Sequence, residues 1–387
     1  MIVSPFIRPG NLYADMVDTK IILGIAEEYQ DNLFFDEHHG KKAWASVLSS
    51  RVDLKKDTER LKIGLVGEAD YSIYKKYHDL DNDDWSVSNS LLWSPSETVS
   101  CSSSVTYGND SNIDRYLSTT GILLDTRDHE HLNWDLSLSR RLYERLSTVL
   151  NLGFSDETFR PADQSESDYS LSTYSASSGL IYQADELTSL NLYLGYAYYD
   201  YPTSTVDQVY VSLGMNRNIS ETLAYFLSLG TRSTTYRYEI ITGIDDSVDP
   251  VTFVFGEKKI DTHGFIGRAG VTYNQEDHSL SLSVDQNLQP SSGQSQSVSR
   301  TSVSASLNKR FTSDLNFSVF SNYYYNRSDD PDLPNAVYSK SYRVGSSLSY
   351  LLSKSFSVQG NYSYSEYWTD HYKANKNIYG MKLTYNF

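Results

Sequence analysis

The sequence has no long apolar run, a single cysteine, few prolines and a shortage of positive charge. Without a stretch of about 18 apolar residues, it offers no transmembrane helix. Cys101 stands alone, so no intramolecular disulfide can form. The 33 Lys and Arg residues are outnumbered by 49 Asp and Glu residues, which gives a net charge of −16. That balance argues against nucleic acid as a partner, because phosphate binding needs clustered basic residues.

Tyrosine is abundant instead, with 33 copies in 387 residues. Tyr, Thr and Val suit the pleated, half-buried surface of a β-sheet, so the composition favours strands. No shift in composition interrupts residues 20–387, which we therefore interpret as one domain. Residues 1–19 carry Pro5 and Pro9 and are expected to form a periplasmic tail or a plug. They show no basic segment followed by an apolar one, so we expect that an export signal has been removed.

Alternation with a period of two dominates the chain. The clearest case is the segment 279–284, where Leu280, Leu282 and Val284 point to one side and three serines to the other. In a soluble sandwich the apolar side would face the core, whereas in a membrane barrel it faces lipid and the polar side faces the lumen. We predict that Leu282 faces lipid and Ser281 the lumen.

The lengths of the connections favour the barrel. We count about 18 strands (16–18), each longer than the five or six residues that are usual in soluble sheets. Short turns alternate with long polar loops, which is the outer-membrane pattern of periplasmic turns and external loops. The predicted fold is an all-β, transmembrane, up-and-down antiparallel barrel, integral to the bacterial outer membrane. The predicted long loops are Gln30–Lys42, Gly108–Glu130, Asp156–Ser167, Glu239–Lys259 and Arg327–Ser339.

The C-terminal segment alternates apolar and polar residues and ends on an aromatic residue. It resembles the last strand of bacterial outer-membrane proteins, which serves as a signal for the barrel assembly machinery. We expect this strand to pair with the first strand near residues 20–29, because an unpaired edge is too costly in hydrocarbon. The predicted assembly-signal residues are Tyr379, Met381, Leu383, Tyr385 and Phe387.

Two short segments carry a resemblance to a family. Ser4-Pro5-Phe6 and the segment 26–34, with Tyr29, Asp31 and Asn32, resemble β-barrel porins that are often encoded beside exopolysaccharide clusters. The resemblance implies a barrel of this size and, for some members, passage of a secreted polysaccharide. It implies no catalytic residues.

Strand parity assigns charged and aromatic residues to the lumen. One interpretation is a basic stripe facing an acidic wall, which would favour anions or an acidic polysaccharide. The alternative is a solvated wall whose charges neutralise each other. The tyrosines either provide surfaces for sugars or only fill space. The candidate lumen residues are Arg232, Arg268, Arg300, Arg343, Glu68, Asp70, Asp135, Asp285, Tyr193 and Tyr324.

Two motifs suggest metal binding only weakly. The acidic run 79–84 lacks the Gly and the Glu of a calcium loop, so a solvated loop is the preferred interpretation. His129-Glu130-His131 places two imidazoles on one side of a strand, but the sequence offers no convincing third ligand. We therefore predict no metal site, no cofactor and no catalytic residue.

The sequence thus predicts a passive outer-membrane channel for hydrophilic solutes, with export of a polysaccharide as the sharper hypothesis. The expected partners are membrane lipid, lipopolysaccharide and the assembly machinery, with a polysaccharide or sugars as the candidate solutes. The alternative is a closed structural or adhesive barrel that binds partners through acidic external loops. Occlusion of the lumen by an inward-folded Gly108–Glu130 or Glu239–Lys259 loop, or by residues 1–19, would separate open channels from gated or closed barrels.

Overall fold

The computed structural model describes residues 17–387 except 39, 112–116, 118–127, 161–168, 246–251, 292–295, 330–337 and 371. Eighteen strands are present in this part of the chain. They are β1 Asp18–Gln30, β2 Ala43–Asp57, β3 Leu61–Tyr74, β4 Asn82–Ser96, β5 Val99–Asp110, β6 Asp128–Tyr143, β7 Leu146–Arg160, β8 Tyr169–Gln183, β9 Thr188–Tyr201, β10 Ser204–Asn218, β11 Leu223–Asp245, β12 Thr252–Asn274, β13 His278–Ser291, β14 Gln296–Arg310, β15 Leu315–Ser328, β16 Tyr338–Leu351, β17 Phe356–Thr369 and β18 Lys373–Asn386.

The strands form one closed antiparallel sheet, in which each strand pairs with its neighbours in the chain. β1 pairs with β18, from Ile22 opposite Asn386 to Gln30 opposite Ile378, which confirms the predicted closure. The backbone amide of Phe387 also donates to the carbonyl of Ile21 at 2.9 Å. Within the described residues, no helix is long and apolar enough to cross a membrane.

The two surfaces of the sheet differ as the alternation predicts. Leu280 and Leu282 are each 45% exposed on the outside, and exposed apolar side chains alternate in the same way on β1, β9 and β10. Asp285, at the opposite parity, shares an internal cavity with Tyr199 of β9 and Gln208 of β10, so its side of β13 is the lumen. A closed barrel with an apolar outer surface and a polar inner surface is the architecture of integral outer-membrane proteins, and this protein is one of them.

The connections define the two ends of the barrel. At the end that holds both the start of β1 and the end of β18, every turn is short, as on the periplasmic side of outer-membrane barrels. The other end is external, but its connections vary more than expected. The predicted loop Glu239–Lys259 is mostly strand, because β11 and β12 are 23 residues each and extend beyond the bilayer. The predicted loop Asp156–Ser167 is shortened in the same way, since β7 continues to Arg160. The β9–β10 connection is only the tight turn 202–203.

The seam between β1 and β18 carries specific side-chain contacts at its external end. The Asp31 carboxylate accepts hydrogen bonds from the backbone amide and the side-chain amide of Asn377, both at 2.7 Å. Asn32 donates from Nδ2 to the carbonyls of Asn375 and Asp36, both at 2.8 Å. The Asp31-Asn32 element that the sequence analysis singled out therefore fastens the first strand to the last.

Candidate functional site in the barrel lumen

A row of directly paired lumen residues crosses the middle of one wall, from β11 to β16. We call it the central row, and it consists of Ser228, Arg268, Asp285, Ser302, Tyr324 and Ser341. Arg268 and Asp285 are cross-strand neighbours and line a cavity of about 260 Å³ together with Tyr199 and Gln208. A cation and an anion thus lie side by side on a wall of hydroxyl and phenol groups.

The four arginines of the predicted stripe do not share one register row. Relative to the central row, Arg232 lies four residues toward the external end and Arg300 two residues. Arg343 lies two residues toward the periplasm. At about 3.3 Å per residue, the set spreads over roughly 20 Å along the strand direction. The arginines therefore occupy different register positions on tilted strands, and their effect on charge selectivity remains a prediction.

Two of these arginines lie over aromatic rings in the same local arrangement. The guanidinium carbon of Arg268 is 4.9 Å from the centre of the Phe226 ring, and that of Arg343 is 5.7 Å from the centre of the Phe320 ring. Each ring also lies over a glycine of the neighbouring strand, and this glycine follows the arginine by two residues in the sequence. A Cβ on Gly270 would come within 2.5 Å of Phe226, and one on Gly345 within 2.5 Å of Phe320. The pattern Arg-x-Gly opposite an aromatic residue therefore fixes the guanidinium against the wall.

The same use of glycine recurs at the predicted lumen residue Tyr193. Its ring lies on Gly179, where a Cβ would come within 2.4 Å of the ring. Tyr210 covers Gly195 in the same way. The sequence analysis placed Tyr193 in the lumen but missed this pairing, whose signal is a glycine opposite an aromatic residue on adjacent strands.

Three of the four predicted acidic residues, Glu68, Asp70 and Asp135, are on the opposite side of the lumen, whereas Asp285 lies beside Arg268. Glu68 forms an ion pair with Arg51, which also donates from Nε to Asp53 at 2.7 Å. Asp70 is directly opposite Asp84 on β4. Asp135 is paired between Ser104 of β5 and Gly153 of β7. Of these three charges, Glu68 is compensated locally by Arg51, and the acidic wall stays a prediction.

Arg232 has a different environment from the other three arginines. It is 3% exposed and forms a bidentate ion pair with Asp329, with Nη1–Oδ2 and Nη2–Oδ1 distances of 2.6 Å. Tyr236 and Thr262 also donate to Asp329, at 2.9 and 3.2 Å. Asp329 follows β15, so this contact joins β11 to the β15–β16 connection at the external end and neutralises the charge of Arg232.

The hairpin formed by β13 and β14 folds into the external mouth. β13 pairs with β12 only over residues 279–286, although β13 continues to Ser291. Beyond that point Leu288 is 1% exposed and packs in an apolar cluster with lumen residues of β8 to β11, including Tyr199, Val206 and Tyr236. The Tyr201 hydroxyl of β9 is 2.8 Å from the Ser297 hydroxyl of β14, although these strands are not neighbours in the sheet. The hairpin therefore narrows the external mouth.

A second apolar cluster lies on the opposite side of the mouth. Phe35, from the β1–β2 connection, is fully buried with Tyr367 and Ala374 of the last two strands. Leu117 of the β5–β6 connection joins this cluster and is 2% exposed. At Leu117, therefore, the predicted Gly108–Glu130 loop does reach inward. The ends of that loop belong to β5 and β6, while its residues 112–116 and 118–127, and residues 1–16 of the predicted tail, lie outside the described residues.

Carboxylates of the acidic run 79–84 accept hydrogen bonds from nearby residues. Asp81 accepts a hydrogen bond from the amide of Tyr74 at 2.6 Å, and Asp84 accepts from the amide and hydroxyl of Ser111, both at 2.9 Å. The His pair, in contrast, acquires a neighbour that the sequence did not reveal. Asp110, at the end of β5, lies beside His129 and His131 of β6.

No known family matches the chain, and no curated protein matches it. Among solved structures, OpdK of Pseudomonas aeruginosa with vanillate has 12% identity and a TM-score of 0.46, covering 96% of this chain and 98% of that chain. OccK2 (OpdF) of the same organism, in complex with glucuronate, has 14% identity and a TM-score of 0.45, with 96% and 98% covered. OccAB1 of Acinetobacter baumannii has 13% identity and a TM-score of 0.47, with 96% of each chain covered. These likenesses assign no family, and they give no support to the link with exopolysaccharide clusters.

Proposed function

We propose that the protein is an outer-membrane channel for small hydrophilic solutes, with an external mouth that limits their size. The observation that carries the proposal is the inward-folded β13–β14 hairpin above a polar, charged lumen. A barrel of this strand number leaves an aqueous lumen unless it is filled by its own chain. The hairpin narrows that lumen at one end and leaves the central row below it.

The chemistry of the lumen supports small anionic solutes as the preferred class. Arg268 and Arg343 lie over aromatic rings in two matching arrangements, which present guanidinium groups along the wall. Arg300 donates from Nε to Asn326 at 2.8 Å and adds a third basic group between their levels and the mouth. Local charge in the lumen, rather than the net charge of the chain, sets permeation.

The narrowed mouth speaks against the sharper hypothesis of polysaccharide export. A polymer would have to pass the external mouth, part of which is taken up by the β13–β14 hairpin with the buried Leu288. The same hairpin supports the rival function of a closed structural or adhesive barrel. The two functions differ in whether ions cross the folded protein.

Single-channel conductance in a planar bilayer tests the proposal. The informative variant replaces residues 288–298 of the β13–β14 hairpin by a short Gly-Ser turn, and we expect its conductance to rise several-fold over wild type. The matched control places the same Gly-Ser turn at residues 311–314, a periplasmic turn far from the mouth, and should conduct like wild type. If neither wild type nor the hairpin variant conducts, the barrel is closed and the proposal is wrong. If wild type and the hairpin variant conduct equally, the hairpin is not the size-limiting element.

A further inference from the structure

Four titratable side chains from three adjacent strands meet at the external end of the lumen wall. His129 of β6 is directly opposite Asp110 of β5, and His131 is directly opposite Glu157 of β7. The side chains of these four residues are between 9% and 20% exposed. The proposed channel function does not use this group, which we call the His–Asp cluster.

The distances in the His–Asp cluster suit a shared metal ion. Asp110 Oδ2 is 3.6 Å from Nδ1 of His129 and 3.8 Å from Nδ1 of His131. One ligand atom from each of the three residues lies within 4.8 Å of the others. Ligands at about 2.0–2.1 Å from a tetrahedral zinc ion stand roughly 3.4 Å apart, so only a small contraction would bring all three onto one ion.

The surroundings hold the two imidazoles in place. The His129 ring stacks on Phe159 at 4.3 Å between centres and 9° between planes, and it stacks on His131 at 5.3 Å. Glu157 Oε2 is 3.6 Å from Nε2 of His129, on the side of the ring away from Asp110. A carboxylate on the far nitrogen of a ligating histidine orients the ring and raises its basicity. Asp84 fixes the end of β5 through its two hydrogen bonds to Ser111.

We propose that Asp110, His129 and His131 bind a divalent transition-metal ion such as Zn²⁺, with Glu157 as a positioning residue. Two imidazoles and a carboxylate are a donor set typical of zinc and its neighbours, and three protein ligands leave one position for water. The ligands flank residues 111–127, so the ion would join the two ends of the β5–β6 connection. Metal bound at this point would stabilise the base of an external loop whose Leu117 packs in the mouth.

Isothermal titration of the refolded, metal-free full-length barrel with ZnCl₂ tests this proposal. We expect one Zn²⁺ per chain in wild type, and at least tenfold weaker binding in Asp110→Asn and in His131→Gln. His278→Gln is the matched control and should bind Zn²⁺ like wild type. His278 lies 2.7 Å from Asp277 at a periplasmic turn, but the described part of the chain offers no third ligand there. Glu157→Gln should bind a few-fold more weakly and keep the same ligands.

X-ray absorption at the zinc edge of the wild-type complex provides a second measurement that does not depend on whether a variant folds. Scattering from two imidazoles is the expected result. The proposal is wrong if wild type binds no stoichiometric Zn²⁺, in which case the cluster is an ion-pair network, or if bound zinc shows fewer than two imidazoles. Wild-type affinity in folded Asp110→Asn and His131→Gln would also overturn it.

Discussion

Removal of the Asp31 carboxylate should weaken the seam that closes the barrel. In Asp31→Ala both hydrogen bonds to Asn377 are lost, at the external end of the seam, where β1 ends and β18 begins. A hydrogen bond to a charged group contributes about 1.5–3 kcal/mol. Asp31 is only partly buried, so the lower end of that range applies to each bond, and we expect a loss of about 3 kcal/mol in the free energy of unfolding. Asp31→Asn keeps the shape and should lose about half as much.

Urea unfolding in lipid vesicles, followed by tryptophan fluorescence and by heat-modifiable migration in gels, measures this loss. Asp83→Ala is the control, because Asp83 is an exposed carboxylate near the external end of β4, away from the seam. Hydrogen exchange adds a local readout, and the amides of residues 373–377 should exchange faster in Asp31→Ala. If Asp31→Ala unfolds within about 0.5 kcal/mol of Asp83→Ala, the element does not fasten the seam and our reasoning is refuted.

Four other predictions follow from the lumen and its surroundings. Leu282→Arg should cost about 2–4 kcal/mol of stability in vesicles, whereas Ser281→Arg on the lumen side should cost far less; equal costs would invert the assigned parity. Arg232→Gln leaves Asp329 without its cation and should cost about 3–5 kcal/mol, and the double variant with Asp329→Asn should cost less than the sum of the single variants in the same assay. Replacing Arg268, Arg300 and Arg343 by Gln together should shift the reversal potential in a salt gradient toward cations; an unchanged potential would exclude them as the selectivity element. The hydrogen bond from Lys309, and then that from His278, lower the pKa of Asp277 from 3.8 to about 2. A lowered carboxyl pKa adds stability above the ordinary pKa that is lost as pH falls toward the folded value, so urea midpoints measured between pH 5 and 2 should fall less in Asp277→Asn than in wild type.

The sequence predicted the parts of the fold that depend on local patterns. Alternation in segments such as 279–284 fixes which side of a strand faces lipid, because successive side chains point to opposite sides. The number of strands and the closure of β18 on β1 follow, since edges must be paired in hydrocarbon. The predicted end of β11 was wrong because polar residues above the bilayer continue as strand, where alternation no longer separates strand from loop.

The contacts at the mouth could not be predicted in this way. Arg232 meets Asp329 across 97 residues of sequence, and Tyr201 meets Ser297 across 96. Such pairs depend on how the β13–β14 hairpin bends, which no periodicity encodes. The contact of Asp110 with His129 could not be predicted either. It results from the register of β5 against β6, which no spacing in the sequence reveals. Strand parity left the partners of the candidate arginines undetermined, and their role in the lumen stays a prediction.

The seam has a consequence for the time course of folding. Its contacts join residues separated by up to 366 positions, from Ile21 to Phe387, so they form only after β18 has been made, and closing so long a loop costs about 5 kcal/mol of chain entropy. Until then β1 and β17 each present a strand edge with unpaired backbone groups. Topologies dominated by distant pairings fold slowly, and open edges can pair with those of another chain. Misassembly of this barrel should therefore be intermolecular, and its rate should rise with protein concentration.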